Sequence, residues 1–156
     1  MKGSTAVIAA LNQVLGNELI SINQTFLHSR MFNDWGLEKI GKAEYKKSIK
    51  DMKQADALIA RVLFLEGLPN LQHLGRLRIG ENTQEIIACE KALMDQQIPA
   101  LREAIALCET EQDYVSRDIL KEILDDEEEF VDWLDVQDGL IAKTGLQNYI
   151  QSQADS

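Results

Sequence analysis

The chain predicts an all-α fold: a four-helix bundle with one long crossover plus a short C-terminal fifth helix. Three observations predict it. Four segments repeat apolar residues at alternating steps of three and four, which is one side of an α-helix turned to a core. Between the second and third segments lies an irregular stretch, roughly 67–80, rich in Leu but carrying Gly, Pro and Asn. It is too long for a tight turn between antiparallel neighbours. A short further segment follows Gly145. At 156 residues one domain, 1–156, accounts for the whole length and is large enough for a core.

Ser4 or Thr5 can cap the first helix, which ends near Gly36. The second runs from about 37 to 66, across Gly41, and stops at Gly67 and Pro69. The third begins near Glu81 or Asn82 and reaches about 111; Pro99 inside it deletes a backbone hydrogen bond and is expected to bend it, at a cost of up to about 3 kcal/mol. The fourth starts at Asp113 and reaches about 143, with Gly139 a weak point, and the fifth covers about 146–153. Helices of about 27 residues are each about 40 Å long, so the crossover can run the length of the bundle.

Composition narrows the function. Hydrophobic residues make up 45% and charged residues 27%, as in an ordinary globular protein. A net charge of −10 argues against nucleic acid or an anionic membrane as partner and suits attraction of cations. Cys89 and Cys108 form no CxxC arrangement and read as small core residues in a reducing cytoplasm. Asn12, Gln13 and Asn17 interrupt the first apolar stretch, so it is not read as a secretory leader, and no segment is expected to offer the roughly 20 apolar residues of a membrane span.

Four positions interrupt the apolar seams. The first seam runs Ile8, Leu11, Leu15, Glu18, Ile22, Thr25 and the second Ser48, Asp51, Ala55, Leu58, Val62, Leu65. The third runs Lys91, Met94, Ile98, Leu101, Ile105 and the fourth Ser116, Leu120, Ile123, Glu127, Phe130, Leu134. A carboxylate on a core seam is expensive unless paired or bound to metal. Glu18, Asp51 and Glu127 therefore describe either a weak site for a divalent ion with water, or a vacant polar pocket neutralised by shared protons or a cation. Lys47, four residues before Asp51, is a candidate for that cation or else a solvated surface lysine. His28 and His73 read as surface or packing residues.

A second stripe is offset from the first. Tyr45, Ile49, Met52, Asp56, Ile59 and Leu63 share one side of the second helix, and Leu19, Asn23, Phe26 and Arg30 one side of the first. A single molecule has one core, so a second apolar stripe implies a partner surface. On composition alone Met52 is a packing residue.

A di-iron site in a bundle of this kind takes one Glu from each of two helices and a Glu-x-x-His from each of the other two. Here the second helix offers Asp51-Met52-Lys53-Gln54 and the fourth Glu127-Glu128-Glu129-Phe130. At these residues, and in Leu15-Gly16-Asn17-Glu18-Leu19, Phe26-Leu27-His28, Arg30-Met31-Phe32, the run 64–72, Asp113-Tyr114-Val115-Ser116-Arg117-Asp118 and Gly145-Leu146-Gln147-Asn148-Tyr149, the chain resembles the bacterioferritins over its whole length. The resemblance implies a ferritin-like four-helix bundle, a cytoplasmic 24-subunit cage storing ferric iron mineral, a ferroxidase centre in each bundle, and haem b shared across a two-fold interface. It places the ferroxidase ligands at Glu18, Asp51, Gln54, Met94, Glu127 and Phe130. Only Glu18 and Glu127 match; Asp51 is one methylene short, Gln54 is neutral, and Met94 and Phe130 offer nothing to a hard cation. Thr25 stands where the family usually has a tyrosine.

The resemblance also makes Met52 the haem-iron ligand and gives Leu19, Ile22, Asn23, Phe26, Tyr45, Ile49, Lys53 and Leu71 as the haem pocket. Residues 145–150 would line the four-fold axis, with Asn148 and Gln151 as polar pore groups. The expectation is a cage subunit with its haem side kept and no catalytic residues of its own, in a homo- or hetero-24-mer with a ferroxidase-competent bacterioferritin subunit. A small ferredoxin would donate electrons near Leu68, Pro69, Glu81 and Glu85. Two rivals stand beside it: a ferroxidase-active homomer with a rebuilt site, and a DNA-protecting mini-ferritin, which the absence of a basic tail disfavours.

Overall fold

The computed structural model describes residues 1–72 and 75–154. Its five helices are α1 (Thr5–Asp34), α2 (Glu38–Phe64), α3 (Thr83–Thr110), α4 (Tyr114–Thr144) and α5 (Leu146–Ala154). Ser4 caps α1 through Val7 N–H, Asn82 caps α3 through Glu85 N–H at 3.0 Å, and Asp113 caps α4 through Ser116 N–H at 3.0 Å. α3 continues through Pro99 and α4 through Gly139 without a break in either helix.

α1 and α2 form an antiparallel pair about the turn at Gly36, whose φ of +80° suits glycine. They approach so closely near this turn that a Cβ on Gly41 would lie 2.1 Å from Asn33 Oδ1. The Ser29 hydroxyl seals the contact by donating to the Gly41 carbonyl at 2.8 Å.

The crossover climbs α1. Asn12 donates to the Leu68 carbonyl and accepts from Asn70 N–H, Gly75 packs on Ile20, Gln24 accepts from Arg78 N–H at 2.9 Å, and His28 Nε2 accepts from Gly80 N–H at 3.1 Å. Contacts at positions 12, 20, 24 and 28 carry the chain from the end of α2 back to the end where α2 began. Side chains of α1 thus satisfy backbone groups of a segment that has no ladder of its own. α3 consequently runs antiparallel to α1, and α4 returns antiparallel to α3. Tyr149 on α5 is buried and donates to Gln137 Oε1 at 2.7 Å, fixing the short helix across the bundle end.

Two apolar clusters fill the bundle. Val7, Leu11, Leu15, Leu58, Val62, Leu101 and Leu120 belong to one, and Phe32, Leu37, Ile40, Ile86, Leu134 and Tyr149 to the other. Along α1, α2 and α4 the acids at 18, 51 and 127 fall between them. Cys108 is buried in the first cluster, Cys89 is half-buried, and both are free.

Two expectations are corrected. The buried line of α3 runs Ile87, Glu90, Leu93, Met94, Gln97, Leu101, Ala104 and Cys108, whereas Lys91, Ile98 and Ile105 lie to its side. Adjacent residues on a helix are only 100° apart, so an apolar face admits either register until the neighbours choose. α1 is also long and apolar enough to cross a membrane by length and composition. Its inward face nevertheless carries Asn17, Glu18, Gln24 and His28, each hydrogen-bonded to another part of the bundle.

Glu66 and Gln112 close α2 and α4's predecessor, α3, in the left-handed region, at φ of 63° and 58°. The bonds Gly67 N–H to Val62 O and Asp113 N–H to Cys108 O wrap these ends. A side chain at such a position is strained where glycine is not. Gln112→Gly is expected to raise unfolding stability by about 1 kcal/mol, read as a higher urea midpoint with unchanged slope.

Candidate metal centre

Glu18 from α1, Asp51 from α2 and Glu127 from α4 bring one carboxylate oxygen each to within 4.8 Å of one another, all fully buried. Lys47 stands one turn before Asp51 on the same face of α2, so its ammonium enters the same space. It donates to Asp51 Oδ1 and, at 2.8 Å, to Glu127 Oε1, and lies 4.7 Å from the centre of the Phe130 ring. Ser21 on α1 donates to Asp51 Oδ2, and Gln97 on α3 donates to Glu18 Oε1 at 3.0 Å. Every helix of the bundle therefore reaches this centre. Glu18 Oε2 and Glu127 Oε2 have no hydrogen-bond partner among the described residues.

Of the three remaining sequence-derived positions, Met94 and Phe130 supply no ligand to a hard cation, and Gln54 offers only a neutral amide oxygen, Oε1, which is buried without a hydrogen-bond partner among the described residues. Met94 is buried as a thioether, and Phe130 presents its ring to Lys47 while stacking on Trp133 at 5.7 Å. Gln54 turns its amide to Asp126 Oδ2 at 2.9 Å. Thr25 returns its hydroxyl to the Ser21 carbonyl.

Electrostatics follow from burial. Loss of water, then the nearby Asp51 and Glu127 charges, push the Glu18 carboxyl well above its ordinary range, against the pull of Lys47 and Gln97. Burial raises Glu127 to about 7 although Lys47 opposes it. Burial acts to discharge Lys47, but Asp51, Glu127 and Glu18 outweigh it and hold the ammonium firmly protonated. Lys47 thus occupies, as a fixed cation, the space in which the three acids converge.

A second buried cluster was not legible as such. His28 is fully buried, the packing alternative of the two the sequence left open, and it joins Glu44 of α2 and Glu90 of α3, one ligand atom of each lying within 4.8 Å of the others. Its Nδ1 lies 2.7 Å from Glu90 Oε2. Burial lowers the imidazole below its ordinary value against the pull of Glu44, so this contact is a neutral hydrogen bond and not an ion pair. Burial, followed by Glu90, pushes Glu44 well up. The signal was available for Glu44: extending the second seam one turn before Ser48 reaches it. His73 lies outside the described residues.

The offset stripe faces outward. Met52 is 51% exposed, Phe26 45%, Tyr45 40% and Leu71 53%, while Leu19, Ile22 and Ile49 are half-buried beneath them and Asn23 and Lys53 are exposed. The Arg30 guanidinium covers the Phe26 and Tyr45 rings at 5.0 and 5.3 Å.

A Ferritin-like domain model matches residues 8–144. The chain is 46% identical to a bacterial ferritin of Synechocystis sp., covering 98% of this chain and 99% of that protein. It is 41% identical to a bacterioferritin of Brucella melitensis over 99% and 96%, and 42% identical to a bacterial ferritin of Pseudomonas aeruginosa over 98% and 99%.

Burial also raises Glu90, to about 8 from an ordinary 4.5. A carboxyl that keeps its proton longer when folded makes the native state bind more protons than the unfolded chain between its two values. Its stabilising effect is full below the unfolded value and lost as pH rises through the folded one. In chelating buffer the melting temperature is expected to fall by several degrees from about pH 5 to about pH 8. Glu90→Gln, which keeps the neutral shape, should flatten that slope in thermal melts followed by circular dichroism.

Proposed function

Because the chain belongs to the bacterioferritin family of iron-storage proteins, we propose that it is a cytoplasmic cage subunit that binds haem b and performs no di-iron oxidation of its own. It forms a 24-mer alone or with a ferroxidase-competent bacterioferritin subunit. The observation that carries this reading is the Lys47 ammonium seated between Asp51 and Glu127. A ferrous ion entering there meets a fixed positive charge, and its second neighbour would meet Met94 and Phe130 in place of ligands. Oxidation that needs two ferrous ions held together therefore falls to a partner's bundles, and this chain supplies shell, cavity wall and an electron path.

The residues of the outward stripe fit haem. Half-exposed Met52 places a soft, neutral thioether on a surface of Phe26, Tyr45, Leu71 and Ile49, which suits a flat apolar group covered by a second copy. Arg30, over the Phe26 and Tyr45 rings, and exposed Lys53 would supply positive charge to a bound haem's carboxylates. When bound, haem supplies one-electron exchange with the stored mineral. Leu68, exposed at the start of the crossover, with Pro69, Glu81 and Glu85, offers a docking surface for a small ferredoxin.

The purified homomer is expected to show no fast phase of two irons per subunit on anaerobic ferrous titration followed by oxygen. Restoring Asp51→Glu, Gln54→His, Met94→Glu and Phe130→His should leave it inactive while Lys47 remains, and adding Lys47→Ala should bring the fast phase back. A fast phase in the unmodified chain would overturn the reading and favour the rebuilt homomeric ferroxidase. Met52→Leu keeps packing volume but removes the sulfur; haem content per subunit should fall at least about tenfold, with cage size unchanged by light scattering.

A further inference from the structure

Glu44 and Glu90 leave three carboxylate oxygens that no donor among the described residues reaches: both of Glu44 and Oε1 of Glu90. Both side chains are out of contact with water. Two facing carboxyls can bond one another only by sharing a proton, and otherwise a buried acid pair needs a cation. The fourth oxygen, Glu90 Oε2, takes the His28 Nδ1–H at 2.7 Å, because Nε2 is already committed to accepting Gly80 N–H at 3.1 Å. That second bond fixes the tautomer. The imidazole is a donor to Glu90 and has no lone pair left for a ligand.

We propose that Glu44 and Glu90 form a binding site for one hard divalent cation, held by both oxygens of Glu44 and by Oε1 of Glu90, with His28 as a positioning residue behind Glu90. This goes beyond the function above and does not depend on it. One ligand atom from each of His28, Glu44 and Glu90 lies within 4.8 Å of the others, so the two carboxyls face one space. Oxygen-preferring dications sit at about 2.0–2.6 Å from their ligands, which sets opposed oxygens about 4–5 Å apart. An all-oxygen donor set selects Mg²⁺, Ca²⁺, Mn²⁺ or Fe²⁺ over thiolate-seeking metals. A ligating carboxylate braced by a histidine N–H, itself braced by backbone, is the arrangement that holds a first ligand in place.

Charge favours this pair over the Glu18 centre. Lys47 already donates to two of the three acids there, whereas no cation of the described residues pairs with Glu44 or Glu90. Tyr149 of α5 packs nearby but sends its hydroxyl to Gln137. One ammonium thus faces five buried acids, and a dication at Glu44 and Glu90 is the addition that local charge accepts.

The test uses the assembled protein, stripped by chelator and crystallised, then soaked in about 1 mM Mn²⁺, the weak end of such sites. An anomalous peak between Glu44 and Glu90, lost in Glu44→Gln or Glu90→Gln, is expected, with one fewer tight Mn²⁺ per subunit in solution for either variant. No peak there in the unmodified protein would show a proton-sharing pair and overturn the site, as would a peak that survives Glu44→Gln. His28→Leu should weaken Mn²⁺ binding at least about tenfold, and His28→Gln, whose amide can still donate to Glu90, should recover most of it. Equal Mn²⁺ affinity in His28→Leu would remove its positioning role.

Discussion

One ammonium holds the middle of this bundle together. Glu18, Asp51 and Glu127 are all buried between two apolar clusters, and without a counter-charge three acids so placed would have to give up their ionisation or force the helices apart. Lys47 answers two of them directly and gains the face of Phe130. Because Asp51 is also held by Ser21 and Glu18 by Gln97, the same centre ties α2 to α4, α1 to α2, and α3 to α1. Gln97 in turn holds the Val14 carbonyl and accepts from Asn17, so the polar middle is a network rather than a set of pairs. The two apolar halves then pack on either side of a fixed polar waist.

The crossover depends on the same helix from the other side. α1 offers Asn12, Gln24 and His28 to the passing backbone, and His28 is the last of them. Its ring bonds the crossover through Nε2 and Glu90 of α3 through Nδ1. The cluster of His28, Glu44 and Glu90 therefore sits where the crossover hands over to α3, beneath the end that α5 closes. Any ligand or proton taken up there acts on the joint between α1, α2, α3 and the connection.

α2 divides its work by helical phase. Glu44, Lys47 and Asp51 turn inward, while Tyr45, Ile49 and Met52 turn outward, and Asp51 and Met52 are neighbours in sequence. The buried acid cluster and the proposed haem surface are thus carried on opposite sides of one helix. Because Lys47 and Asp51 point inward and Met52 outward, a change in the side chains of one face leaves the other face untouched, and the two can vary independently.

Much of the fold was legible because long helices announce themselves by period: the four bundle helices begin and end within about two residues of the expected points, with α1 closing before Gly36, α2 before Gly67, and α3 and α4 opening after Asn82 and Asp113. The convergence of Glu18, Asp51 and Glu127 was equally legible, since each interrupts an apolar seam. Local sequence could not place Lys47, whose long stem reaches either solvent or core, and only carboxylates arriving from α1 and α4 decide between them. Nor could it choose Glu90 and Gln97 over Lys91 and Ile98, because both registers satisfy an amphipathic pattern and the choice belongs to packing against α1. His28 is the clearest case. Nothing adjacent to it in the chain marks it as buried, for its partners, Gly80 and Glu90, are brought to it by the crossover and by the antiparallel course of α3.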